Sequence, residues 1–246
     1  MVGSSPSDQK PVQYDLPIRG DPDLPDRYNV REAYPYCEAK VLDQGTCGSC
    51  WGFAASGILS DRLCIQTKGE INLTLSPQDM VNCAFENYGC MGGYLIPSVD
   101  FLITEGVSTD TCKPYIYDKG HCDFKCENRE EYKKYFCEAS SMKIMTSIEE
   151  MQREIYKHGP IMVGLIVWED MYNYESGIYS PTSGEIAGGH AIRAVGWGHD
   201  ENDELYWICQ NQWTSDWGEE GYINIKAGTT YIDTWALSCL PDISEI

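Results

Sequence analysis

The chain has 246 residues, 42% of them hydrophobic, enough for one large domain or for two lobes sharing an interface. Its 38 Asp and Glu outnumber 18 Lys and Arg, a formal net charge of −20, which excludes a phosphate-binding surface of clustered cations and so excludes nucleic acid as partner. No apolar run approaches the ~18 residues of a membrane span, and 12 cysteines would be costly free thiols in a reducing cytosol, so several disulfides and an oxidising compartment are expected. The acidity suits an acidic compartment, where protonated carboxylates repel one another less.

Residues 1–23 are rich in Pro, Asp and Ser and read as an extended arm or leader remnant. Met1 to Lys10 lacks the apolar core of a signal peptide, so a secreted reading requires that a leader was removed or is missing from this sequence. Gln44-Gly45-Thr46-Cys47-Gly48-Ser49-Cys50-Trp51 follows, and helical periodicity starts at once: Trp51, Ala54, Ala55, Ile58, Leu59 and Leu63 predict a helix over 50–66, stopped by Gly69. Cys50 at a helix N-terminus is placed where partial positive charge favours a thiolate. Ser76-Pro77 starts a second helix, hydroxyl as N-cap and proline at the first helical position. Pro97 to Glu105 is a third, closed by Gly106. Asn72-Leu73-Thr74 is a glycosylation sequon.

Residues 107–140 are loop-like and carry Cys112, Cys122, Cys126 and Cys137, the staples such a stretch needs. Ser147 to Glu150 is a capping box, with Ile148, Met151 and Ile155 on one helix face and Gly159-Pro160 as the stop. Beyond it the character changes. Residues 161–168, 191–198, 205–210 and 221–226 are β-branched or aromatic runs bounded by turns. The fold class is therefore α+β: a helical lobe at 24–140 with the nucleophile helix, a β-rich lobe at 141–246, and a cleft between them.

Cys47 and Cys50 alone leave three readings open: a thiol hydrolase, a structural disulfide, or a redox or zinc pair. A redox motif should follow a strand, whereas this one follows an irregular segment with Pro17, Pro22, Pro25 and Pro35; zinc needs a second pair, and Cys122 and Cys126 are distant. His190 and Asn211 favour the hydrolase. A cysteine nucleophile needs a base and a group that orients the base. Of the four histidines, His190 alone follows a pair of glycines, Gly188 and Gly189, immediately before a strand. Asn211 is neutral, so it can orient an imidazole without competing for its proton and lets a thiolate–imidazolium pair persist. Gln44 can donate its amide to an oxyanion together with the Cys50 N–H. Trp213 and Trp217 can shield the His–Asn bond from water.

These motifs resemble the papain family of cysteine peptidases, most closely its cathepsin B and cathepsin X branch. The likeness runs from Leu24-Pro25 through Tyr36-Cys37, Ser60-Asp61-Arg62, Tyr88 to Gly93, Gly188 to Gly198 and Tyr206 to Gly218. It implies a papain-like two-lobed fold with a mainly helical left lobe and a β-barrel-like right lobe. It also implies a catalytic set of Cys50, His190, Asn211 and Gln44, with Gly92, Gly93, Gly189, Trp213 and Trp235 binding substrate. Thr229 to Ser238 resembles the floor of the P2 side-chain pocket, where Trp235 or Asp233 would sit. The resemblance pairs Cys37–Cys64, Cys47–Cys90, Cys83–Cys122 and Cys112–Cys126; it leaves Cys209 as a buried thiol, and Cys137 and Cys239 unassigned. It implies protein or peptide substrates, with proteinaceous inhibitors or a prodomain as further partners, no cofactor and no metal, and a lysosomal, endosomal or secreted location.

Two departures stand out. Asn211-Gln212-Trp213 replaces the usual Asn-Ser-Trp, so the longer amide either crowds the cleft rim or points outward. The region matching the histidine-bearing occluding insertion of cathepsin B, Cys112 to Cys126, is short and holds only His121, which implies an endopeptidase. The alternative is a catalytically silent member of the fold with a structural or binding role.

Overall fold

The computed structural model describes residues 23–37 and 40–244. The expected arm at 1–23 lies outside these, apart from Asp23. In chain order, Tyr28–Asn29 (β1) leads into the single turn Val30–Ala33 (α1), then the long helix Cys50–Gln66 (α2), Pro77–Cys83 (α3) and Leu95–Thr104 (α4). Lys143–Met145 (β2), Ile148–His158 (α5), Ile161–Trp168 (β3), Ile178–Tyr179 (β4), Ile186–His199 (β5), Leu205–Gln210 (β6), Tyr222–Lys226 (β7) and Ala236–Ser238 (β8) complete it.

The α2 bounds match the periodicity. Ser76 caps α3 as expected, its side chain accepting from Asp79 N–H. Ser147 caps α5, but Glu150 returns its bond to Thr146 N–H rather than to the cap residue. α4 starts two residues before Pro97: the first-turn N–H groups need no intrahelical partner, so proline is tolerated inside that turn.

The strands form one open sheet in the order β2-β8-β3-β5-β6-β7-β4, with β1 beside β5 and only the β4–β7 pairing parallel. It does not close into the barrel-like lobe expected, because β2 and β4 remain as edges. The period of two along β3 explains how two lobes share this sheet. Ile161, Val163, Leu165 and Val167 join a core with Met151 and Ile155 of α5, whereas Met162 joins a second core with Ile58 and Leu59 of α2. On β5, Ile192 and Ala191 divide the same way. α2 is buried nearly all round, as befits a helix packed between a sheet and other helices.

Segments also cross between lobes. β1 pairs with β5, while Leu237 and Cys239 pack among the helices. All four expected disulfides are present, together with Cys137–Cys239, which the sequence left unassigned. Cys50 and Cys209 are free. Cys47 is bound to Cys90, so the redox reading of Cys47 with Cys50 falls.

Candidate active site

Five polar side chains, Arg62, Glu154, Asp61, Arg193 and Gln210, fix α2 to the sheet and to α5. Arg62, buried in α2, donates from Nε to the Pro160 carbonyl (2.8 Å) and from Nη2 to the Gly159 carbonyl (3.1 Å). Its Nη1 donates to Glu154 Oε1 (2.9 Å) and the Cys239 carbonyl (3.0 Å). The preceding residue, Asp61, accepts from Arg193 Nη1 of β5 (2.7 Å), and Arg193 Nη2 donates to Gln210 Oε1 at the end of β6 (2.5 Å). The helix that starts with Cys50, the strand that carries His190 and the strand that leads to Asn211 are thus tied by one guanidinium.

At the helix start, the Ser49 hydroxyl does not cap; it bonds the Tyr115 hydroxyl instead (2.6 Å). The Cys50 and Trp51 N–H groups are left to face the Cys50 sulfur, and Ala191 N–H joins them. Burial pushes the Cys50 thiol up, and these three N–H groups offset only part of that rise. His190 lies inside β5, opposite Leu165, rather than before the strand as expected, because Gly188 and Gly189 are extended enough to pair with β3. Its Nε2 donates to Asn211 Oδ1 (2.9 Å), which leaves Nδ1 without a proton in the neutral ring. Burial pushes His190 down to about 4, against the Asn211 bond, which raises it. Trp213 stacks on the imidazole with centroids 4.9 Å apart, and Trp217 meets Trp213 edge-on at 5.0 Å.

Gln44 reaches the same place on a strap that crosses between lobes. Asp43 bridges Trp213, and Gln44 N–H donates to the Gln212 carbonyl (3.0 Å). The Gln44 side chain donates from Nε2 to the Cys47 carbonyl (3.0 Å). Gln212 does not point outward: it is buried, with Nε2 on Gln44 Oε1 (3.1 Å) and on the Ala191 carbonyl (2.8 Å).

A cleft of about 700 Å³ brings together Gln44, Cys50, Gly92, Gly93, Gly189, His190, Trp213 and Trp235. Asn211 lies behind it, reached through His190. Gly93 has a packing reason for lacking a side chain, since a Cβ would lie 2.7 Å from Trp51 and Asn87. Gly188 and Gly189 have none; a Cβ there would meet only open cleft. Asp233 does not reach the cleft: its carboxylate is buried against Trp207 Nε1 and Gly228 N–H, which leaves Trp235 as the wall residue. His121 is exposed, and no residue of 112–126 lines the cleft. Asn72 is exposed, with Nδ2 on the Tyr36 carbonyl (3.0 Å). Burial raises the Cys209 thiol strongly, so it is inert.

Sequence reasoning missed Tyr172. It is 53% exposed, lines the cleft and stacks on Trp213 at 5.2 Å. Nothing in the run Met171 to Tyr174 distinguishes it from Tyr174, which is buried.

Residues 24–238 match the family profile described as papain family cysteine protease. The chain belongs to that family. It is 37% identical over 247 residues to cathepsin B-like cysteine proteinase 3 of Caenorhabditis elegans, covering 89% of this chain and 66% of that protein. It is 37% identical to the cathepsin B-like CP2 of Giardia intestinalis, covering 84% of this chain and 70% of the relative. Among solved structures, the procathepsin B S9 of Trypanosoma congolense superposes with a TM-score of 0.84 at 27% identity, covering 93% of this chain and 82% of that one. Bromelain of Ananas comosus in complex with the E64 inhibitor superposes at 0.73 and 29% identity, covering 88% and 99%. The papain-like two-lobed fold and the cathepsin B-like character of the relatives agree.

Proposed function

We propose that the protein is a cysteine endopeptidase that cleaves peptide bonds through a Cys50 thioester. The single observation that carries this reading is the 2.9 Å bond from His190 Nε2 to Asn211 Oδ1, in a cleft that also holds the free Cys50. That bond fixes the tautomer in which Nδ1 is the basic nitrogen.

Cys50 passes its proton to His190, forming a pair whose charges cancel, and the sulfur attacks the peptide carbonyl carbon. A C–S bond forms, and the carbonyl electrons move to oxygen, held by Gln44 Nε2–H and the Cys50 backbone N–H. The imidazolium gives its proton to the departing nitrogen as the C–N bond breaks. His190 then deprotonates water, the hydroxide adds to the thioester, and the C–S bond breaks to release the acid.

No Asp, Glu, Lys or Arg lines the cleft among the described residues, although the chain carries −20. Substrates are therefore held by backbone contacts at Gly92 and Gly93 and by apolar side-chain contacts. Trp235 shortens the P2 site and favours small apolar P2 groups. The endopeptidase reading is supported by the lining of the cleft, to which residues 112–126 contribute nothing. Five disulfides favour an oxidising, lysosomal or secreted location. The likeness to a proenzyme supports a prodomain as partner, and the likeness to an E64 complex supports a cleft that accepts a small thiol-directed inhibitor.

Internally quenched peptides with free and amidated C-termini test this. Internal cleavage of both at similar rates is expected. Stepwise release of C-terminal dipeptides, abolished by amidation, would refute the endopeptidase reading while leaving the Cys50 chemistry intact.

A further inference from the structure

Gln212 stands where a small hydroxyl is usual, and it is 5% exposed. Its backbone N–H donates to Asn211 Oδ1 (3.0 Å), and its carbonyl accepts from Gln44 N–H (3.0 Å). The side-chain amide spends Nε2 on the Ala191 carbonyl (2.8 Å) and on Gln44 Oε1 (3.1 Å).

The direction of both carboxamides is decided by neighbours whose roles cannot reverse. A backbone carbonyl only accepts. The Ala191 carbonyl requires the nitrogen of Gln212 on its side, and the Cys47 carbonyl requires the nitrogen of Gln44 at 3.0 Å. Turning either amide over would set oxygen against oxygen. The nitrogen of Gln212 therefore faces the oxygen of Gln44.

Gln44 has two side-chain N–H bonds, and Cys47 takes one. With Oε1 held by Gln212, the second N–H is what this amide offers to the cleft. A reversed amide would put a partial negative charge beside the oxyanion. We propose that Gln212 is a positioning residue, locking the Gln44 carboxamide with its N–H, and not its carbonyl, toward the oxyanion. The lock is in place before substrate arrives, so no reorientation is needed during attack. Gln212 does not act through His190. Their nitrogens are 3.5 Å apart, but His190 Nε2 already gives its proton to Asn211, so two donors face each other.

This rests on the role of Gln44 proposed above, and the experiment separates the two. Cleavage of a fluorogenic peptide amide is measured for the natural chain, Gln44→Ala, Gln212→Met and the double variant. Each is normalised to active sites titrated with an epoxysuccinyl inhibitor. Gln44→Ala is expected to lower kcat/KM about a hundredfold. Gln212→Met keeps the shape without the donor, and is expected to lower kcat about three- to tenfold with KM nearly unchanged. In the Gln44→Ala background the same change is expected to cost less than about twofold. An equal loss in both backgrounds would make Gln212 a structural support and overturn the proposal. Gln212→Leu replaces the methionine variant if that one does not fold. Independently of activity, the side-chain ¹⁵N–¹H signals of Gln44, observed in Cys50→Ala protein, should shift when Gln212 is changed; unchanged signals would overturn the lock. A Gln44→Ala variant of full activity would remove the oxyanion role itself, and the proposal with it.

Discussion

The substitution Glu154→Gln probes how the nucleophile helix is held to the sheet. Glu154 accepts from Arg62 and Ser238 on Oε1 and from Lys143 on Oε2, and its side chain is only 6% exposed, against 1% for Arg62. Burial pushes this carboxyl up, but the Arg62 charge and the bonds from Lys143 and Arg62 outweigh it and bring it from the ordinary 4.5 to about 2. A carboxylate held there stabilises the fold by about 3 kcal/mol at neutral pH. The folded value is depressed, so the stabilisation is complete above pH 4.5 and is lost as pH falls toward 2. Glutamine keeps the shape and drops the charge, leaving Arg62 buried without its hydrogen-bonded counter-ion and with only the neighbouring Asp61, itself paired to Arg193, to offset its charge, a loss of about 3–5 kcal/mol. The assay is urea unfolding followed by tryptophan fluorescence, in a Cys50→Ala background that prevents self-digestion, from pH 7 to pH 2.5. The variant should be less stable by about 3 kcal/mol or more at pH 7, and the gap should narrow steadily below pH 4.5. A gap under about 1 kcal/mol at pH 7, or one of constant size across the range, would refute the reasoning.

Three further outcomes are expected. Burial holds His190 at about 4, so the base stays unprotonated where an ordinary histidine would be charged; the acid limb of kcat/KM should fall near pH 4 and move lower in Asn211→Ala, which loses the bond that raises it. A limb near 6.5 would contradict the buried setting. Trp235→Ala should open the P2 site and raise kcat/KM for Phe over Val at P2 by about tenfold or more in a peptide series; an unchanged ratio would place Trp235 outside that site. Replacing both Cys137 and Cys239 by Ala opens a loop with a sequence separation of 102, and should cost about 3–5 kcal/mol in urea unfolding, with no loss showing the bridge to be dispensable.

Local chemistry makes much of this legible in the sequence itself. The helix at Cys50, the Ser76 and Ser147 caps and the strands at 161–168 and 205–210 carry their own signals, namely period, cap residue and β-branched runs. His190, Asn211 and Gln44 could be singled out because each residue type has one role in thiol chemistry that few others fill. What stayed hidden depends on long-range pairing. β8 and β2 are three residues each; β2 is a strand only because it pairs with β8, and β8 because it lies between β2 and β3. The Cys137–Cys239 bridge needs the crossing of the C-terminal segment into the helical core, which no spacing reveals. Gln212 stands out in the sequence as a departure, but its inward turn depends on the Gln44 strap meeting it from the other lobe. Tyr172 and Tyr174 lie two residues apart, and only the sheet decides which one is buried.

The most direct test of the proposed chemistry is labelling of the folded protein with an epoxysuccinyl thiol-protease inhibitor at mildly acidic pH, followed by peptide mapping. One label per chain on Cys50, lost in His190→Ala, with Cys47 recovered bound to Cys90, is the expected result. Labelling that is absent, or that persists at full rate without His190, would contradict an assembled Cys50–His190 nucleophile.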